Sequence, residues 1–416
     1  MSSNVVDPTS QITATTPKSS RKSSKTTANR SPPSDPSTSA NHTTTTTGSS
    51  YAYNYNKDSW KSSVSSRASL SSLRDSLQEN AHVYAFSEIA FAANNFLAKR
   101  HHSSSSSASW RCCIRDADVI VFQRKLRRQI DTSELQEKLS LICKSHYSSI
   151  IKLKGASMSG SYIYLVYDYI HGANLADCLR NPRNPNFTVL SNWMSRIQIA
   201  TDLAHGLDYI HNSTGLNMSF VHNHVKSTSI IVTDVNFSAK ICHFGTAELC
   251  GEMVENDTRS RSRDFKRSNS KLMRVEGTRG YMSPEYQLSG VGTKKSDVYA
   301  FGVVVLELLT GEEPLKYVFD GEGGGYFRVS VVETARAAVG SGGVRRWVDK
   351  RLRDSYPAEA VEKLVGVALD CVEEDPEKRP DMGRVAGRVS KLYLESRNWV
   401  EKMGVPTDFT VSLAPR

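Results

Sequence analysis

The stretch VHNHVKSTSIIV, Val221 to Val232, and the later ICHFG around His243 gather residue types that could do chemistry. They hold three imidazoles (His222, His224 and His243), one amine (Lys226) and a hydroxyl at Ser229. Histidines that converge can bind zinc or titrate near neutral pH. Lys226 beside protonated imidazoles could instead hold an anion without a metal, ATP among the candidates. A carboxylate is what the stretch lacks: KSTSIIVTD reaches one only at Asp234, in a turn. A divalent cation wants oxygen ligands and negative charge, so no metal is expected, and the histidines read as polar replacements of something else.

The elements that must hold these residues follow from periodicity. HVYAFSEIAFAANNF opens an ordered region, with Ser87 as a helix cap and Ile89, Ala92, Ala93 and Phe96 at helical spacing. DVIVFQRKLRR reads as a strand. SELQEKLSLICKSH reads as a helix with Asp131 as its cap, and SYIYLVYDYI as an apolar strand. NWMSRIQIATDLAHGLDYIHN is a long helix, and SIIVTDVNFSAKIC is a strand, a turn at Asp234–Asn236 and a second strand. After Glu285 the pattern is helical almost to the end. Strands first and helices afterwards predict an α+β chain with a sheet-rich small lobe and a helical large one.

Bulk properties set the frame. The 416 residues carry a formal net charge of +10, which favours acidic or phosphorylated partners, or an anionic membrane face, over nothing more specific; no nucleic acid is expected. Seven scattered cysteines without paired metal spacing read as reduced intracellular thiols. No run approaches the roughly 18 apolar residues of a membrane span, and the N-terminus has neither a signal-peptide core nor a myristoylation glycine. A cytoplasmic protein is expected, recruited at most to the inner face of the plasma membrane. Residues 1–80, rich in Ser, Thr, Asn, Pro and Lys, have too little apolar surface to order and read as a disordered tail. Ser69 there, and Ser260, Ser262, Ser268 and Ser270 in the basic run NDTRSRSRDFKRSNSKLMR, are candidate phosphosites.

Several stretches share a family resemblance. FVHNHVKSTSIIVTDVNFSAKICHFGTAEL resembles the catalytic and metal-binding loops of protein kinases, with their His-Arg-Asp and Asp-Phe-Gly motifs. EGTRGYMSPEY is similar to the end of a kinase activation segment, its Ala-Pro-Glu motif present as Ser283, Pro284 and Glu285. KSDVYAFGVVVLELLTGEEP resembles the central helix of the large lobe, and CVEEDPEKRPDM the closing arginine segment. YAFSEIAFAANNF and LVYDYIHGANLADCLR narrow the likeness to plant receptor-like and receptor-like cytoplasmic kinases, with the LysM-receptor branch in view. It covers about residues 82 to 395. It implies a bilobal fold with a small lobe at 81–170, a large lobe at 171–396 and a C-terminal tail at 397–416.

By that resemblance the structural parts are present. Glu285 and Arg379 match a buried ion pair, and Asp297 matches the anchor of the catalytic loop. His222 and Phe244 match two stacked spine residues, with Ile142 as the third. The chemical parts are missing. Phosphoryl transfer needs a nucleotide cradle, a phosphate-binding lysine, metal ligands and a base. No glycine occurs from Ser49 to Lys154, where a glycine-rich loop would stand. The strand lysine aligns with Gln123, although Lys125 on the same strand face could substitute. Its helix partner aligns with Lys138, and a one-residue shift would restore Glu137. The catalytic aspartate is His224, the metal-binding asparagine Ser229 and the metal-binding aspartate His243. The arginine that clamps an activating phosphate is Asn223. Lys125, Asp168, Ile170 and Lys226 remain as contacts for an anion or nucleotide. The resemblance therefore implies a pseudokinase that serves as scaffold or allosteric partner of an active receptor kinase. It needs no cofactor, and any ATP binding is magnesium-independent. The alternative is a weak Ser/Thr kinase working through Lys125 and Glu137.

Overall fold

The computed structural model describes residues 81–104, 107–183, 190–214, 220–234, 236–252, 277–319, 321 and 324–403. The tail read at 1–80 and all five candidate phosphosites, Ser69, Ser260, Ser262, Ser268 and Ser270, lie outside the described residues.

The small lobe contains β1 (His82–Val83), α1 (Phe86–Ala92), β2 (His102–Ser104), β3 (Ser107–Ile114), β4 (Ala117–Lys125), α2 (Thr132–Cys143), β5 (Leu153–Ser159) and β6 (Tyr162–Asp168). The strands form one sheet in the order β1-β5-β6-β4-β3-β2. Alternation along β4 decides what each face meets. Val119 and Val121 turn outward with Tyr164, Val166 and Ile89 into a small cluster under α1. Ile120 and Phe122 turn the other way, with Leu165 and Tyr167, onto the main core. α2 starts as expected, Asp131 accepting from the Glu134 amide at 2.7 Å. α1 does not: it begins at Phe86 behind Ala85 and has no side-chain cap, so Ser87 sits inside its first turn.

The large lobe begins with β7 (Gly172–Asn174), α3 (Leu175–Arg180) and α4 (Trp193–Asp208). β8 (Ile230–Thr233) and β9 (Ala239–Ile241) join β7 in a three-stranded sheet that carries the loop 220–229 at one end. Short helices α5 (Thr246–Leu249) and α6 (Pro284–Ser289) precede α7 (Lys294–Thr310). α7 is apolar nearly all round and buried from Ser296 to Thr310 except at Tyr299, as a helix at the centre of a lobe must be. A Thr293–Ser296 capping box starts it, and Gly311 at φ 71° ends it.

Two features depart from the helical reading of the C-terminal third. β10 (Leu315–Phe319) and β11 (Tyr326–Ser330) pair as an antiparallel hairpin. After α8 (Val331–Gly340), α9 (Val344–Trp347) and α10 (Ala358–Cys371), helix α11 runs from Met382 to Met403, beyond the boundary expected at 396. The sheet-rich small lobe and helical large lobe are otherwise the α+β arrangement expected. All seven cysteines are free thiols. Among the described residues no helix is long and apolar enough to cross a membrane.

Candidate functional site

The loop 220–229 is held from behind by α7. Asp297, 2% exposed in its first turn, accepts from the amides of His222 at 2.7 Å and Asn223 at 2.8 Å, and contacts His211 Nε2 at 3.0 Å. Burial alone would raise its carboxyl, but these hydrogen bonds and imidazoles hold it below the usual range. His222 Nε2 lies 2.8 Å from the Cys242 carbonyl, and its Nδ1 lies 3.2 Å from the His224 amide. A carbonyl only accepts and an amide only donates, so the proton sits on Nε2. Burial lowers this imidazole to about 4, and His222 is a neutral staple, not a base.

The front of the loop is tied to α7 as well. Ser227 Oγ donates to Glu307 at 3.0 Å, Tyr281 OH donates to the same carboxylate at 2.7 Å, and Arg180 approaches it to 2.8 Å. Burial pushes Glu307 up to about 6 in spite of Arg180. Further back, Arg379 pairs with Glu285 at 2.7 and 2.8 Å and donates to the carbonyls of Lys295, Glu373 and Glu374. Its five N–H groups have five partners. Ile142, the expected third spine residue, is 1% exposed and packs against Gly245, where a Cβ would stand 2.7 Å from it.

On the cleft side, several residues sit where the sequence did not put them. Gln123 faces outward and donates to Tyr164 OH at 3.0 Å, and Lys125 is exposed at the strand end. The cation on the inward face of β4 is Arg124, across from Ile163 and one place beyond Phe122 and Leu165. The expected strand register is therefore off by one, which turns every side chain to the other face. On α2, Glu137 is exposed, whereas Lys138 turns inward and pairs with Glu248 at 2.6 Å and Glu134 at 3.3 Å. A one-residue shift restores nothing there, because the cleft-facing position holds a lysine. Asp168 pairs with Lys154 at 3.3 Å, and Ile170 packs on the core; no feature marks either as an anion contact.

The floor of the cleft is lined by His243, His224, Ser229, Lys226 and Arg124. His243 sits at φ 69° and Asn223 at φ 59°, left-handed conformations that cost a residue with a Cβ about 1–3 kcal/mol. Phe122 meets the His243 ring edge-on at 4.5 Å. The rings of His222, His224 and His243 follow one another at 6.4 and 6.2 Å, but His222 is spent on the backbone and no group of metal ligands forms among the described residues. Burial, then the Arg124 charge, holds His243 far below its ordinary value, and the same two causes lower Lys226. Lys226 Nζ reaches Thr278 Oγ1 at 3.2 Å.

One carboxylate does enter, and it overturns the expectation that none lies nearer than Asp234. Glu252 Oε2 stands 3.0 Å from His224 Nε2, out of line for a hydrogen bond but within ion-pair distance, and accepts from Asn223 Nδ2 at 3.1 Å. Burial would raise it, yet His224, Arg127 and Asn223 together hold it at about 2. Nothing in the sequence ties Glu252 to a loop 28 residues upstream; folding of α5 delivers it.

This donor set does not fit a magnesium nucleotide. An imidazole and a hydroxyl stand where oxygen anions would have to face the metal, with the charges of Arg124 and Lys226 acting on that imidazole. The single carboxylate is already engaged with His224 and Asn223.

A family model described as protein tyrosine and serine/threonine kinase matches residues 107–389. The chain is 30% identical over 329 residues to LysM domain receptor-like kinase 3 of Arabidopsis thaliana, covering 76% of this chain and 47% of that protein. It is 31% identical over 265 residues to PTI1-like tyrosine-protein kinase 1 of the same plant, covering 62% and 67%. The chain thus spans about half the length of the LysM-type relatives it matches. Among solved structures, the pseudokinase domain of BIR2, an immune regulator of the RLK/Pelle family, superposes with a TM-score of 0.57 at 22% identity, covering 81% of this chain and 95% of that one. At that identity the likeness is one of fold.

Proposed function

The chain belongs to the protein tyrosine and serine/threonine kinase family, and we propose that within it this is a receptor-like cytoplasmic pseudokinase, a binding module that scaffolds or allosterically adjusts an active receptor kinase. The observation that carries this reading is the charge of the cleft floor. The two positions that would have to supply metal ligands hold Ser229 and His243, and His243 is held neutral by burial and by the nearby charges of Arg124 and Lys226.

Magnitudes support the choice. A unit-charge pair about 4 Å apart is worth about 4 kcal/mol at an effective dielectric of 20, and a divalent ion feels twice that. Replacing attraction by repulsion on this scale prevents seating of the metal. His224 in place of the base costs a further factor of about 10²–10⁴, and its imidazole is occupied by Glu252. The weak-kinase alternative relied on Lys125 and Glu137, both of which are exposed and face away from the cleft. The partner class, an active receptor kinase, is proposed from the kind of relatives the chain has. A cytoplasmic location at the inner face of the plasma membrane goes with it.

The test has two arms. Full-length chain is incubated with γ-labelled ATP, magnesium and manganese, alone and with an active LysM-type receptor kinase domain. No label should be transferred by the chain itself, while the partner's rate of labelling should change on addition of the chain. Transfer by the chain alone, or no effect on any such partner, rejects the reading.

A further inference from the structure

Two of the most exposed large apolar side chains among the described residues, Phe91 at 87% and Leu97 at 82%, lie close together in the chain at the C-terminal end of α1. The Asn94 amide donates to the Phe91 carbonyl and the Leu97 amide to the Asn94 carbonyl, each at 3.0 Å. Between them Asn94, Asn95 and Phe96 all take left-handed φ, at 51°, 50° and 61°. Residues with a Cβ adopt such a run only where their surroundings hold them in it. Phe96 is the hold: its ring stacks on Tyr164 at 5.2 Å and meets Trp110 edge-on at 4.9 Å. With Phe96 kept inward, its neighbour Leu97 is turned out. The chain around this pair is basic. Lys99 and Arg100 follow Leu97 within three residues and are exposed. Glu88, the one acid between Ala81 and Ser104, lies a turn before Phe91 and is paired with Arg115 at 2.8 and 3.1 Å. The 80 residues before Ala81 add nine Lys and Arg against five Asp and Glu.

We propose that the end of α1 is an interfacial anchor for an anionic phospholipid bilayer, with Phe91 and Leu97 entering the headgroup boundary and Lys99 and Arg100 meeting the lipid anions. It rests on the location at a membrane face proposed above and names the surface that secures it. Apolar side chains edged by cations are what such a boundary holds, the hydrocarbon edge taking the first and the charged headgroups the second. Side chains as exposed as these project from the protein, and a fluid bilayer accommodates them without a matching pocket. The larger apolar projection of the molecule, the β10–β11 hairpin with Tyr317, Phe319 and Tyr326 exposed, does not suit an anionic surface, because Glu312, Glu313 and Glu333 bracket it.

Co-sedimentation of the full chain with phosphatidylcholine vesicles, with and without about one third phosphatidylserine, tests the anchor. Binding to the anionic vesicles alone is expected at about 0.1 M salt. It should weaken about tenfold or more when Phe91→Ser is combined with Leu97→Ser, and similarly when Lys99→Gln is combined with Arg100→Gln. Phe319→Ser, in the hairpin, is the comparison and should bind as the unaltered chain does. No binding to either vesicle assigns the patch to a protein partner and overturns the anchor, while the labelling assay with a receptor kinase decides the inactive reading separately. Binding that survives both double variants places membrane contact elsewhere on this basic chain, which overturns the anchor and leaves the location standing. Equal binding to the neutral vesicles, or its loss in Phe319→Ser, means unspecific apolar adhesion and overturns the anchor as well.

Discussion

Arg379 and Arg124 both carry buried guanidinium atoms, yet the first has five partners for its five N–H groups and the second has an unpartnered Nε. Around Arg379, Asp297 and Glu307, every buried charge meets a partner, and activation segment, catalytic loop and central helix are fastened together. Around Arg124, the buried atoms Arg124 Nε, Ser229 Oγ and His243 Nδ1 have no hydrogen-bond partner among the described residues. The backbone there takes left-handed turns at His243 and Asn223, and the side chains around them are imidazoles, a hydroxyl and cations, with one carboxylate, Glu252, paired to His224. One region is complete as a fold. The other leaves buried polar atoms without side-chain or backbone partners among the described residues.

That contrast can be broken by experiment. Its largest consequence is at the fastening: Arg379→Met should cost about 3–5 kcal/mol by leaving Glu285 and three carbonyls unpaired, read by urea unfolding. A cost below about 1 kcal/mol would mean that the pair is ornamental. Next comes pH. His222 titrates near 4 when folded and near 6.5 when unfolded, so between these values the unfolded chain binds the extra proton. Stability should rise from pH 4 to 6.5, by at most about 3 kcal/mol from this residue. His222→Asn should flatten that slope, and an unchanged slope would place the titration elsewhere.

A smaller effect concerns the clasp between α2 and α5. Lys138 and Glu248, with side chains 14% and 20% exposed, should couple by about 1 kcal/mol in a double-mutant cycle with Lys138→Met and Glu248→Gln. Zero coupling would remove the clasp. The smallest effect sharpens the comparison most. Ser229→Ala should change stability by no more than about 0.5 kcal/mol, and Arg124→Met should be neutral or stabilising in anion-free buffer by up to about 1 kcal/mol. A loss as large as at Arg379 would erase the distinction between the two regions.

The fastening was legible in the sequence because its members lie inside long motifs: Glu285 in GTRGYMSPEY, Arg379 in EDPEKRPDM. The cleft was legible as a set of missing residues, less so as a geometry. Val119, Ile120, Val121 and Phe122 are apolar on both faces of β4, so period-two alternation could not say whether Gln123 or Arg124 faces inward. Glu252 carries no local signal, since only the turn of α5 brings it to His224. The hairpin at 315–330 did leave one: LKYVF and YFRVS flank a glycine-rich DGEGGG, a strand-turn-strand pattern lost beneath the helical reading of that region.

Manganese titrated into the full chain with ATP and followed by electron paramagnetic resonance probes the cleft floor around His243 and Ser229 most directly. The account predicts that the chain takes up no Mn²⁺ beyond what ATP alone binds. Stoichiometric protein-bound Mn²⁺, lost on His243→Ala, would contradict it.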